Sequence, residues 1–230
     1  MNVSNYQNTT KVFVWDIPIR LFHWGIVLLI GLQWWSSHDL KSYALIHQIG
    51  GYCIFVLVLF RILWGFFGSY HSRFTDFIYP IYRIVHYASV MVQLKPPAYV
   101  GHNPLGGLSI ILLLLCLLVQ IITGLCMTSE TGIQGVLSGW FSQETTQLMA
   151  VIHTTNFDIL LALAIIHILA VFFYLIVKRE NLVKPMFVGY KELPLNQEEL
   201  DNMQPFVSVW RAIILLLISI GFVGLLLSLA

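Results

Sequence analysis

Charge is what this 230-residue chain lacks most. Asp, Glu, Lys and Arg make up 10% of it, against about 25% in an ordinary soluble domain. So few charges cannot coat a globule in water. The hydrophobic residues, 58% of the total, fall in long blocks, which points to a membrane protein. The formal net charge is +1 with no basic run, so nothing suggests a nucleic-acid partner. Cysteine is scarce too. Cys53, Cys116 and Cys126 form no C-x-x-C pair and no C-x-x-C-H, which argues against a redox dithiol or zinc site and excludes covalent haem attachment. They read as small buried thiols in apolar helices. The first ten residues are polar and uncharged, with no small-residue cleavage site after the first apolar run; the first helix is expected to be its own insertion signal. No internal repeat is present.

Five apolar segments are long enough to cross a hydrocarbon core of about 30 Å. They run over 17–35, 43–67, 105–127, 146–177 and 207–229. The fourth exceeds the need and is expected to tilt or project. Ten of the 12 basic residues fall on one side of these segments: Lys11, Arg20, Arg73, Arg83, Lys95, Lys178, Arg179, Lys184, Lys191 and Arg211. Lys41 stands alone on the other side, and Arg61 lies inside the second segment. The positive-inside bias predicts a cytoplasmic N-terminus and a C-terminus outside. Between the second and third segments, 74–93 mixes Phe77, Ile78, Ile81, Ile84 and Val85 with Arg83 and His86, the pattern of an interfacial amphipathic helix, ended by Pro96 and Pro97. From Tyr190 to Gln204 the chain is polar, with Glu198, Glu199 and Asp201, and reads as a linker or short surface helix.

The eight histidines divide by position. His38, His71, His86 and His102 fall in loops or at interfaces, where a solvated role is the default. His23, His47, His153 and His167 fall inside spans, where lipid offers a titratable ring no partner. Any one of these could be an interhelical hydrogen bond. Together they form a pattern. His153 and His167 share one helix 14 residues apart, which puts them within roughly 40° of one face and about 21 Å apart along the axis. Helix direction sets the other depths. His23 lies toward the cytoplasm with His167, and His47 toward the outside with His153. Each pair can clamp a flat macrocycle between two imidazoles, and iron held so suits electron transfer rather than oxygen binding. No carboxylate or thiolate accompanies the pairs to favour a bare metal ion.

The neighbouring residues admit two readings each. Gly50, Gly51, Gly106, Gly107 and Gly124 leave room for a bulky ligand or for close helix packing. Arg20 and Arg61 could neutralise haem propionates or snorkel to headgroups. Gln120 is expected to face inward. Trp15, Trp24, Trp34, Trp35, Trp64 and Trp140 read mostly as an aromatic belt.

The run Val14-Trp15-Asp16-Ile17-Pro18-Ile19-Arg20-Leu21-Phe22-His23-Trp24 resembles the opening of the bacterial cytochrome b561 family, which includes the cytochrome b subunit of membrane-bound nickel–iron hydrogenases. Three further stretches fit: His47 with Gly50-Gly51 and 61–65; 101–107, reading GHNPLGG; and 178–183, reading KRENLV. The resemblance spans 12–192. It implies an all-α integral membrane four-helix bundle holding two non-covalent b-type haems, with His23, His47, His153 and His167 at the ligand positions. It also implies electron exchange between quinone or quinol in the bilayer and a redox partner, a nickel–iron hydrogenase or a c-type cytochrome. Two departures stand out. Thr154 follows His153 where an acidic residue is expected in many members, and the fifth helix lies outside the matched core. The expected division is therefore a di-haem core over 1–192, a polar cytoplasmic linker over 193–206, and a C-terminal transmembrane helix over 207–230 that docks a partner or a second copy.

The role this implies is an electron-transfer subunit rather than an independent enzyme. One rival is a stand-alone quinone oxidoreductase using a small oxidant such as superoxide. Another is a metal or proton transporter with the histidines as a relay, but 159–166 between the two levels of the fourth helix is wholly apolar, which suits tunnelling electrons and not ions.

Overall fold

The computed structural model describes residues 10–92, 99–129, 132–194 and 204–229. In hydrocarbon every backbone N–H and C=O must be satisfied within the chain, so the apolar segments become helices. Five helices are long and apolar enough to cross a membrane: α1 (Ile17–Ser37), α2 (Leu40–Phe67), α5 (Pro104–Cys126), α6 (Gln143–Ile176) and α8 (Val209–Leu229). The segments read from sequence all appear, each shifted by three residues or fewer at its ends. At 34 residues, α6 is about 51 Å long. Side-chain caps set the starts: Asp16 Oδ1 accepts from Ile19 N at 2.9 Å, Asn103 Oδ1 from Gly106 N at 2.8 Å and Ser142 Oγ from Thr145 N at 3.3 Å.

The expected amphipathic helix over 74–93 is broken. A single turn, α3 (Phe74–Phe77), is followed by α4 (Ile81–Val92), because Pro80 biases the residue before it away from helical backbone. Ile81, Tyr82 and Val85 on α4 are exposed, as an interfacial helix requires. Pro96, Pro97 and the acidic residues Glu198, Glu199 and Asp201 lie outside the described residues. Tyr190 opens no linker or helix. It starts β2 (Tyr190–Leu193), which pairs antiparallel with β1 (Thr10–Phe13) in the register Thr10↔Leu193 to Phe13↔Tyr190. A short helix, α7 (Val183–Val188), precedes it, and Gly189 makes the turn between them with φ of 89°, a conformation glycine adopts freely. The β1–β2 ribbon thus ties the start of the chain to the end of α6.

Packing proceeds by pairs. Helix α1 lies along α2, α5 lies along α6, α2 meets α5, and α8 packs on the far side of α2. Among the described residues α6 has extensive close backbone contact with α5 alone. The core between the pairs includes Ile26, Val58, Leu117, Ile121 and Leu160.

At the basic end a second core forms round Asp16, which is 3% exposed. Its Oδ2 accepts from the Trp64 indole at 3.0 Å and from Ser72 Oγ at 3.5 Å. Trp64 and Trp15 are therefore buried here and take no part in an aromatic belt, whereas Trp34, Trp35 and Trp140 are exposed as expected. Of the cysteines, Cys126 is buried but Cys53 faces outward from α2, against the expectation of a buried thiol.

His102 also departs from its expected solvated role. The turn before α5 folds inward, so its ring lies 4.4 Å from Trp15 and 5.0 Å from Phe77. Burial, reinforced by the nearby charges of Arg61 and Lys191, lowers its pKa to about 3. His38 and His86 are exposed, and half-buried His71 meets Asp76 at 3.1 Å.

Removing the Asp16 carboxylate strips a helix cap and leaves a buried indole N–H unpaired. Asp16→Ala is expected to lower stability by about 2–4 kcal/mol, and Asp16→Asn by less, read as the thermal midpoint in detergent. His102 gives a pH dependence of defined sign. It stays neutral in the fold, while in the unfolded chain it binds a proton below about 6.5. Its contribution is thus intact above pH 6.5 and is lost as pH falls toward 3. His102→Asn is expected to flatten the fall in thermal midpoint over that window.

Candidate functional site

Two polar levels interrupt the apolar interior. At the level far from the basic end, His47 on α2 and His153 on α6 face one another, with ring centroids 6.4 Å apart and planes at 66°. Both rings are half-buried. His47 comes one turn into the regular part of α2, after a non-helical Tyr43. Its Nδ1 lies 3.0 Å from Ser36 Oγ on α1, and its carbonyl accepts from Gln33 Nε2 at 3.0 Å. His153 Nδ1 lies 3.1 Å from Thr123 Oγ1 on α5. Each ring is held by the helix packed against its own.

The glycines sort by what they admit. A Cβ on Gly124 would meet His153 Cε1 at 2.9 Å, so glycine lets the imidazole lie against the α5 backbone. At Gly50 the space is taken by the Gln33 amide, 2.2 Å from a hypothetical Cβ. That glycine serves the Gln33–His47 bond, not room for a ligand. Gly51 has no atom within 4 Å of the same point and faces open space. Gly106 meets its own cap residue, Asn103, and Gly107 lies against the Phe77 carbonyl, so both serve packing.

At the basic level, His23 on α1 and His167 on α6 are half-buried and within electrostatic reach of each other. His23 Nδ1 is buried with no hydrogen-bond partner among the described residues. Four cationic or imidazole donors at this end share that condition: Arg20 Nε, Arg61 Nη1, His102 Nδ1 and Lys178 Nζ. Arg61 is buried and does not reach out to the surface. Arg20 Nη1 donates to the Phe187 carbonyl. Arg61 is 2% exposed, and its guanidinium lies 5.4 and 5.5 Å from the Phe74 and Phe77 rings. Buried donors without acceptors are costly, and their gathering at one end is what a buried anionic group would answer.

Between the levels, Asn156 Nδ2 donates to Gln120 Oε1 at 2.6 Å and to the Cys116 carbonyl at 2.9 Å, clamping α6 to α5. Gln120 does face inward. Thr154, next to His153, is exposed and bonds back to its own helix. Gln33, Ser36 and Thr123 carry much of this geometry and were not singled out by the sequence reading. Their one signal is a small polar residue inside an apolar span.

The donor set fits haem better than a bare ion. Among the described residues no three His, Cys, Asp or Glu side chains gather as a metal site. Two imidazoles bound to one metal from opposite sides, at metal–nitrogen distances of about 2 Å, put their ring centroids about 6 Å apart. The 6.4 Å between His47 and His153 matches that.

The family model described as prokaryotic cytochrome b561 matches residues 14–189. A probable Ni/Fe-hydrogenase B-type cytochrome subunit of Rhodobacter capsulatus is 24% identical over 223 residues, with 83% of this chain and 85% of the relative covered. The protein of the same description from Bradyrhizobium diazoefficiens is 27% identical, covering 79% and 86%. A probable Ni/Fe-hydrogenase 1 B-type cytochrome subunit of Escherichia coli K12 is 28% identical over 149 residues, 54% and 63% of the two chains. With five candidate spans and most of its length matched by the family model, the chain belongs to the prokaryotic cytochrome b561 family, membrane cytochromes of b type.

Proposed function

We propose that this cytochrome holds two non-covalent haem b groups, one between His47 and His153 and one between His23 and His167. Through them it passes electrons across the bilayer between the quinone pool and a redox partner protein. The observation that carries the reading is the facing pair His47 and His153, on two helices with little direct contact, at the separation two axial imidazoles require. The basic-end pair is supported by matched depth and by the unpartnered donors around it; Arg20, Arg61 and Lys178 are suited to the two propionates of a haem there.

Bound haem supplies a reversible one-electron couple, and the chain supplies the rest. Two histidines per level would hold each haem, and iron so held would serve electron transfer rather than oxygen binding. Apolar side chains from Ile159 to Ile166 keep water and ions from the space between levels. Asn156 and Gln120, bonded to each other, offer no free relay to a transported proton. The excess of basic residues puts the His23–His167 level and the N-terminus on the cytoplasmic side of a bacterial inner membrane, with His47 and His153 toward the periplasm. Quinone exchanges electrons at the cytoplasmic level, beside the interfacial α4 and its Arg83. The relatives named as hydrogenase cytochrome subunits favour a nickel–iron hydrogenase as the partner at the other level.

Single His→Ala variants, purified in detergent, test the assignment. His47→Ala and His153→Ala are each expected to halve the haem per chain and remove the same spectral component. His23→Ala and His167→Ala are expected to remove the other. Retention of both haems in any of the four would refute that ligand.

A further inference from the structure

We infer that Ser36 and Thr123 are positioning residues that fix the imidazoles of the haem between His47 and His153 and set its reduction potential apart from that of the other haem. This rests on the ligand reading above. A hydroxyl has one proton to give. Ser36 Oγ lies 3.2 Å from the Gln33 carbonyl, and Thr123 Oγ1 lies 2.6 Å from the Val119 carbonyl and 3.2 Å from that of Gln120. Those carbonyls can only accept, so each hydroxyl proton has a partner there. With the hydroxyl protons so directed, the ring N–H of His47 and of His153 donates to a hydroxyl oxygen over 3.0 and 3.1 Å, with the Gln33 and Gln120 backbone carbonyls as further acceptors in reach. With the proton on Nδ1, Nε2 keeps its lone pair, the tautomer that binds a metal.

The arrangement is built rather than incidental. Ser36 is 0% exposed and Thr123 3%. In both cases the hydroxyl comes from the neighbouring helix, so helix packing and ring orientation are coupled. Gln33 anchors the His47 backbone beside its ring contact, and Gly124 lets the His153 ring lie close enough to reach Thr123. The two rings are pinned at 66° to each other.

The basic level has none of this. His23 Nδ1 is buried without a partner, and no hydrogen bond holds the His167 ring among the described residues. A hydrogen bond from Nδ1 raises the basicity of the imidazole, which favours ferric iron and lowers the potential. The two hydroxyls thus act on one haem and leave the other alone.

The test uses the full-length, haem-loaded protein in detergent, followed by redox titration and low-temperature electron paramagnetic resonance. Ser36→Ala and Thr123→Val are each expected to raise the midpoint of one haem component, the double variant further, while the other component stays in place. The low-spin signal of the same component should move as its rings are released. Ser36→Thr and Thr123→Ser should keep the wild-type values. Loss of that one haem in the Ala and Val variants, with retention in the Thr and Ser ones, would equally support the hydroxyl role. Unmoved potentials and signals in haem-replete variants would overturn it. So would equal shifts of both components, or haem loss as complete in the conservative variants. A failure of the ligand reading would show separately, as a wild-type protein whose haem survives His47→Ala and His153→Ala.

Discussion

An imidazole inside hydrocarbon has two nitrogens to satisfy and no water to do it. That constraint organises the upper half of this bundle. Ser36 and Thr123 take one nitrogen of each ring at the His47–His153 level. The two rings stand 6.4 Å apart, centroid to centroid, between α2 and α6. Gln33, Gly50, Gly124 and the Asn156–Gln120 clamp follow from the same need, since each fixes a backbone or a side chain that holds a ring in place. The hydrogen bonds that hold the two rings at this level are all to uncharged partners.

The opposite end answers a different requirement. Here the chain buries cations in number, and one carboxylate, Asp16, caps α1 while receiving Trp64 and Ser72 and lying within electrostatic reach of Arg61. The β1–β2 ribbon closes over this region and brings α7 to α1, where Trp24 donates to the Met186 carbonyl at 3.2 Å and stacks on Phe187. Donors left without acceptors around His23 and His102 fit a haem edge better than they fit a finished protein core. The two levels differ accordingly: neutral hydrogen bonds at one, positive charge at the other. Two haems bound at levels so unlike would have different electrochemical settings.

Much of this was legible in the sequence, because hydrocarbon enforces simple rules. Long apolar runs had to be helices, and a histidine stripe of 14 residues had to share a helix face. What stayed hidden depends on contacts between distant residues. Tyr190–Leu193 has no strand signal of its own and becomes one by meeting Thr10–Phe13. His102 looks like a loop residue until Trp15 and Phe77 close on it. Gly50 reads as room for a ligand until Gln33 is seen to fill the place. Ser36 and Thr123 are single small polar residues in apolar helices, and only the depth of their neighbours across the helix interface gives them meaning.

The central claim is that one chain carries haem at two depths, and the most direct measurement is haem content. Wild-type protein purified from a haem-sufficient host, with haem quantified as the pyridine haemochrome against protein by amino-acid analysis, should give two haem b per chain. One per chain would mean that a histidine pair does not bind haem. None would contradict the account altogether.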